Sequence, residues 1–161
     1  MERNKIISFK STKSYNFTRV FLLLGGFLMF IGNYTSVTWL LEMGFISPLL
    51  VPLQYFDLAG GIFCLLMAFL WSERFMKTEK RARILNAFVV ALAGHNALFG
   101  LSQALSYSGI LAPLFGVMIF TGGIFAAGAS FVGYFLVWRR STRRNTERKI
   151  EDPKRSFFNS E

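Results

Sequence analysis

Residues 53 to 71 read LQYFDLAGGIFCLLMAFLW, and Asp57 is the one charged side chain among them. An α-helix rises 1.5 Å per residue, so a stretch of this length crosses most of the roughly 30 Å of a bilayer's hydrocarbon core. A water-soluble helix as long would show a polar face recurring every 3.6 residues, and this stretch has no charges to build one. Three further stretches have the same character: Phe17 to Leu41 with Arg19 near its start, Ile84 to Tyr107, and Leu111 to Trp138. The chain has 161 residues, 53% of them hydrophobic and 19 of them Phe, so little remains outside these four for a soluble domain. The expected fold is an all-α membrane protein: a four-transmembrane-helix bundle over 17–138, between an N-terminal segment 1–16 and a basic tail 139–161.

The basic residues orient the bundle, because Lys and Arg near helix ends resist translocation. Five lie before or at the start of the first span (Arg3, Lys5, Lys10, Lys13, Arg19) and five between the second and third (Arg74, Lys77, Lys80, Arg81, Arg83). The tail holds the other eight of the 18, and the two remaining connections, around Glu42 to Pro52 and Ser108 to Pro113, hold none. Both termini are therefore expected in the cytoplasm, most simply at a bacterial or archaeal plasma membrane.

A net charge of +9 would suit nucleic acid, but a basic cytoplasmic flank is already what orientation demands, so no nucleic-acid partner is expected. Arg139, Arg140, Arg143 and Arg144 are placed to meet anionic lipid headgroups, with Phe157 and Phe158 dipping into the interface. The single cysteine, Cys64, lies inside the second span, which excludes an intramolecular disulfide and thiol exchange within the chain. The first apolar run follows a basic flank as a signal peptide does, but it is too long and lacks a small-residue cleavage site, so it reads as a retained helix.

The two halves suggest a tandem repeat of two helical hairpins. Leu50-Val51-Pro52-Leu53 leads to Gly60-Gly61-Ile62-Phe63, and Leu111-Ala112-Pro113-Leu114 leads to Gly122-Gly123-Ile124-Phe125. In the preceding helices Gly26 and Gly32 match Gly94 and Gly100 at the same spacing. A parallel repeat about an axis along the membrane normal would explain this, with chance similarity between Gly-rich apolar sequences as the competing account. Small residues also let helices approach closely in lipid. Gly122, Ala126, Ala129 and Gly133 share one face of the fourth helix, and Asp57, Gly61, Cys64 and Ala68 one face of the second, as seams of the bundle or contacts to another subunit.

Depth singles out the candidate site residues. Polar groups gather in the outer halves of the spans: Asn33 to Ser36 and Thr38 in the first, Gln54, Tyr55 and Asp57 in the second, Ser102, Gln103, Ser106 and Tyr107 in the third, with His95 and Asn96 near the midplane. Such groups cost several kcal/mol in hydrocarbon unless paired or wetted, so they predict an outward-facing polar pocket or helix contacts. The candidate pocket residues are Asp57, His95, Asn96, Gln103 and Asn33, with His95 either a proton carrier or ligand contact partnered by Asp57, or a neutral packing residue. Glu42 reads as a solvated residue at a helix end. One His and one Cys cannot form an intramolecular zinc site, no phosphate-binding Gly-rich loop is present, and no spacing marks a nucleophile, so neither a metal nor a cofactor is expected.

At Asp57-Leu58-Ala59-Gly60-Gly61, preceded by the Pro48 to Pro52 turn and followed by an apolar run and Arg74, the sequence is similar to the DoxX-like small four-helix membrane proteins. In those an acidic residue precedes a Gly-Gly pair in the second helix. The chain departs from them in having Asp57 where Glu is usual, and Gly32-Asn33 where a His-Gly often closes the first helix. The resemblance implies a place beside membrane redox enzymes, since one branch is a subunit of a thiosulfate-oxidising, quinone-reducing complex.

Three functions fit these features. The favoured one is a non-catalytic accessory subunit of a larger membrane complex, or a homo-oligomer, because helix faces of small residues are present and a catalytic constellation is not. A quinone- or lipid-linked redox component would use the outer pocket, with Asp57 and His95 handling protons. A small transporter or channel would use the parallel repeat.

Overall fold

In hydrocarbon a backbone can satisfy its own N–H and C=O groups locally only as a helix, and the chain's apolar stretches take that form. The structure, a computed structural model, describes the backbone of residues 2–44, 51–71, 79–106 and 110–158, and the side chains of 16–44, 51–71, 82–106, 110–136 and 138–139. Among the described residues there are four helices and no strand: α1 Glu2–Glu42, α2 Val51–Leu70, α3 Glu79–Ser106 and α4 Leu111–Phe158. Among the described residues the segments long and apolar enough to span are Asn16–Glu42, Val51–Leu70, Ala82–Ser106 and Leu111–Leu136. The chain is an integral membrane protein built as an all-α four-helix bundle.

Two elements run further than expected. Rather than ending at the membrane, α1 reaches back to Glu2 and α4 continues through the basic tail to Phe158. Arg, Lys and Glu are good helix formers, so once the apolar part of each helix exists these residues extend it. At the other end α1 stops at Gly44, whose φ of 70° belongs to the left-handed region that glycine adopts without strain, and whose N–H bonds to the carbonyl of Leu41 at 3.1 Å.

The helices follow one another around the bundle, α1 against α2 and α4, and α3 against α4 and α2, with α2–α3 the least extensive seam. Within this ring the halves are related by an internal two-fold. A methyl added to Gly61 would meet Phe30 N and Gly26 O, and one added to Gly123 would meet Ala97 N and Ala93 O. Stepping 62 residues from α2 to α4 and 67 from α1 to α3 converts the first set of contacts into the second. The same steps convert Gly60, which faces Leu92 and Asn96, into Gly122, which faces Gly25 and Met29. The buried positions of α2, with Trp71 just beyond its end, obey the rule: Gln54, Asp57, Gly60, Gly61, Cys64, Met67, Ala68 and Trp71 become Gly116, Ile119, Gly122, Gly123, Ala126, Ala129, Ser130 and Gly133, all buried. Every residue expected to pack a seam, Gly61, Ala68, Gly122, Ala126, Ala129 and Gly133, is on these two faces.

The register of the first and third helices differs by one residue from that suggested by matching glycines. Gly26 corresponds to Ala93 and Asn33 to Gly100, while a methyl on Gly94 would meet nothing within 4 Å. One residue along a helix is a rotation of about 100°, so an identity of letters one place off puts a glycine on the wrong face.

Two polar ties hold the basic end of the bundle at equivalent places. Arg19 donates from Nε to the carbonyl of Ala68 at 3.0 Å and from Nη2 to that of Phe69 at 3.1 Å, closing the last turn of α2. Its counterpart is Asn86, whose Oδ1 accepts from Ser130 Oγ at 2.8 Å, Ser130 being the counterpart of Ala68.

Candidate functional site

The five site residues converge on the half of the bundle that carries the α1–α2 and α3–α4 connections. Asn33 and Asn96 lie where α1 and α3 face each other across the interior, and Asn33 Nδ2 donates to Asn96 Oδ1 at 2.7 Å. Each amide is anchored to its own helix: Asn33 Nδ2 also reaches Met29 O at 2.9 Å, and Asn96 Nδ2 donates to Leu92 O at 3.0 Å. Gly60 of α2 gives Asn96 its space, because a methyl there would lie 2.7 Å from Asn96 Nδ2. One layer toward the connections, Gln103 Nε2 donates to Ser36 Oγ, and these two positions are each other's counterparts, meeting at the two-fold axis.

Asp57 and His95 form the ionisable pair of the site. Asp57 is fully buried, His95 is 46% exposed at its side chain, and Nε2 of the ring lies 3.0 Å from Oδ1 of the carboxyl. That is an ion-pairing distance off the line of a hydrogen bond, and among the described residues neither carboxyl oxygen receives an aligned donor. The ring of Phe56 meets the imidazole edge to face at 5.9 Å. His95 therefore bridges the buried acid and the flank of the bundle, along the α2–α3 seam. An acid at this depth is tolerated only with a partner or solvent, and the imidazole supplies the partner.

On the same seam, toward the connections, lies a cavity of about 200 Å³. Gln54 and Gln103 line it with amides, Ser102 and Ser106 with hydroxyls, and Leu40, Leu53 and Phe99 with apolar wall. Gln54 stands one turn from Asp57 on α2, and Phe99 one turn from His95 on α3, so cavity and ion pair are successive levels of one cleft.

The counterparts show how specialised this seam is. Asp57 corresponds to Ile119, His95 to Leu28 and Asn96 to Met29, and on that α4–α1 seam Gly32 packs on Ile119 and Gly122 on Met29, closed and apolar; Gln54 corresponds to Gly116, which packs on Gly100 and Ala104 of α3. Polarity has accumulated on one of two equivalent seams, and that seam is the open one.

Neither the Asn86–Ser130 tie nor the capping role of Arg19 is evident from the sequence. A signal existed for Arg19, since a lone Arg at the start of an apolar span tends to seek carbonyls or headgroups. Of the residues assigned to lipid headgroups Arg139 is exposed, and the side chains of Arg140, Arg143 and Arg144 lie outside the described residues, as do those of Phe157 and Phe158. Among the described residues no three His, Cys, Asp or Glu side chains come together as a metal would need. No protein-family model, curated protein or solved structure matches the chain.

Proposed function

We propose that this protein is a non-catalytic accessory subunit of a larger membrane complex, with both termini cytoplasmic and the α2–α3 seam as its working face. The observation that carries this is the unequal development of two equivalent seams: one is sealed with Met29, Gly122 and Ile119, and the other is left open with a half-exposed imidazole on a buried acid. A polar group presented sideways from a bundle in lipid is costly unless something covers it, and a neighbouring subunit's polar side chain would do so. With the basic segments inside, the cavity opens toward the outer face.

Mild-detergent extraction from the native membrane, native gel separation and mass spectrometry test this. Stoichiometric co-migration with a larger assembly, lost in His95→Ala but kept in the lipid-facing control Ile124→Ala, is the expected result. A stable monomer without partners in native membranes would remove the proposal.

A second reading is favoured by the cavity beside the ion pair: a quinone- or lipid-linked component in which Asp57 and His95 exchange protons with a bound headgroup. Replacing Asp57 by Asn and His95 by Gln without loss of turnover in the native membrane would rule it out.

A further inference from the structure

The α1–α2–α3 cavity contains more unmet hydrogen-bonding capacity than a packing defect should. Gln54 is 7% exposed and Gln103 3%, both line the cavity, and the Oε1 of each has no hydrogen-bond partner among the described residues. Buried acceptors left unpaired cost about 1–3 kcal/mol each, so a bundle that keeps two of them around one hollow gains when a donor enters. Gln103 already uses Nε2 on Ser36, which leaves its oxygen to the cavity.

Size, charge and wall define what fits. Among the described residues no Lys, Arg, Asp or Glu lines the cavity, so a charged ligand would be desolvated without a counter-ion from them. The volume of about 200 Å³ exceeds the 150 Å³ or so known to admit benzene, and Phe99 with Leu40 and Leu53 supplies an apolar wall for a ring. A bare metal cation, needing six or more oxygens at close range, would rattle in a space of this size. We infer that the cavity is a binding site for a neutral, hydroxyl-bearing aromatic ring of the phenol class, whose O–H donates to Gln54 or Gln103 while the ring lies against Phe99. The inference is independent of the accessory-subunit proposal: it concerns what fills the hollow, with or without a partner chain on the seam.

Saturation-transfer NMR on the full-length protein in detergent micelles, with phenol as the probe and anisole as its donor-free analogue, tests this. Phenol should bind saturably and anisole at least about tenfold more weakly, because the methyl ether leaves the amide oxygens unpaired. Gln54→Leu and Gln103→Leu should each weaken phenol binding about tenfold or more and narrow its preference over anisole. Ser106→Trp, which fills the rim from an exposed position without touching the buried amides, should abolish phenol binding while leaving thermal stability unchanged, so that loss of fold and loss of site are separable. Equal binding of phenol and anisole, binding indifferent to Ser106→Trp, or displacement of phenol by sodium ions would each overturn the inference.

Discussion

Substituting Gly123 by Ala should open the bundle measurably, and the amount can be worked from its surroundings. The added methyl would lie 2.5 Å from the carbonyl oxygen of Ala93 and 2.8 Å from both the nitrogen and Cβ of Ala97. Backbone cannot rotate away as a side chain does, so α3 and α4 must part by roughly 1 Å to restore an ordinary contact of about 3.5 Å, and a gap of that size forfeits a quarter to a half of each pairwise attraction nearby. Overpacking of this kind costs about 1–3 kcal/mol. Gly128, whose added methyl would meet nothing within 4 Å, is the control: there Ala should be neutral or stabilising by up to about 1 kcal/mol through helix propensity. The chain supplies its own assay, since Cys64 is the single cysteine and fully buried, so alkylation by a thiol reagent reports opening of the bundle. In a graded denaturing-detergent series Gly123→Ala should be alkylated about 5- to 140-fold faster than the parent, at 1.4 kcal/mol per tenfold. Labelling of Gly123→Ala at the parent's rate, or an equal acceleration in Gly128→Ala, would refute the close-packed α3–α4 seam.

Further outcomes follow from the polar contacts. His95→Ala strips the buried Asp57 carboxyl of its partner and should cost about 1–3 kcal/mol, less than a wholly enclosed pair because the imidazole is half exposed. Adding Asp57→Asn should recover part of that loss, so non-additivity in the double-mutant cycle, read by Cys64 alkylation, is the check. Arg19→Gln removes two charged hydrogen bonds from the last carbonyls of α2 and should cost about 1–3 kcal/mol, with amide exchange accelerating around residues 68–71 before it does near Asp57. Gly60→Ala should be milder than Gly122→Ala, because the first meets the end of the Asn96 side chain and the second meets the backbone of Gly25 and Met29; comparing their thermal midpoints in one detergent tests this.

Much of this architecture could be read without coordinates, and most of what could not, beyond the extension of α1 and α4 through the basic segments, has one cause. Span number, span limits and the Gly-Gly repeat follow from the absence of charge and from glycine placement, both of which survive in a list of letters. Rotation about each helix axis does not, because residues such as Phe27, Leu66 and Leu98 that face outward are as apolar as Leu22, Met67 and Val89 that face inward. The matching of Gly94 to Gly26 failed there, one residue and a third of a turn away from the contact that pairs Gly26 with Ala93. Polar residues carry rotational information, and Asn33, Asp57, Asn96 and Gln103 do all point inward. Their shared cleft depends on the α2–α3 seam being looser than its counterpart, which is a property of four helices together and is written in none of them singly.

The internal two-fold also bears on how such a seam can arise. Two separate copies of one hairpin would form two identical seams, so an aspartate introduced to create a polar site in one would appear in the other as well, and the lipid-facing assembly would bear its cost twice. Joining both hairpins in one chain lifts that constraint. Position 57 can hold a carboxylate while position 119 keeps an isoleucine, and one seam remains a structural weld while the other is free to change.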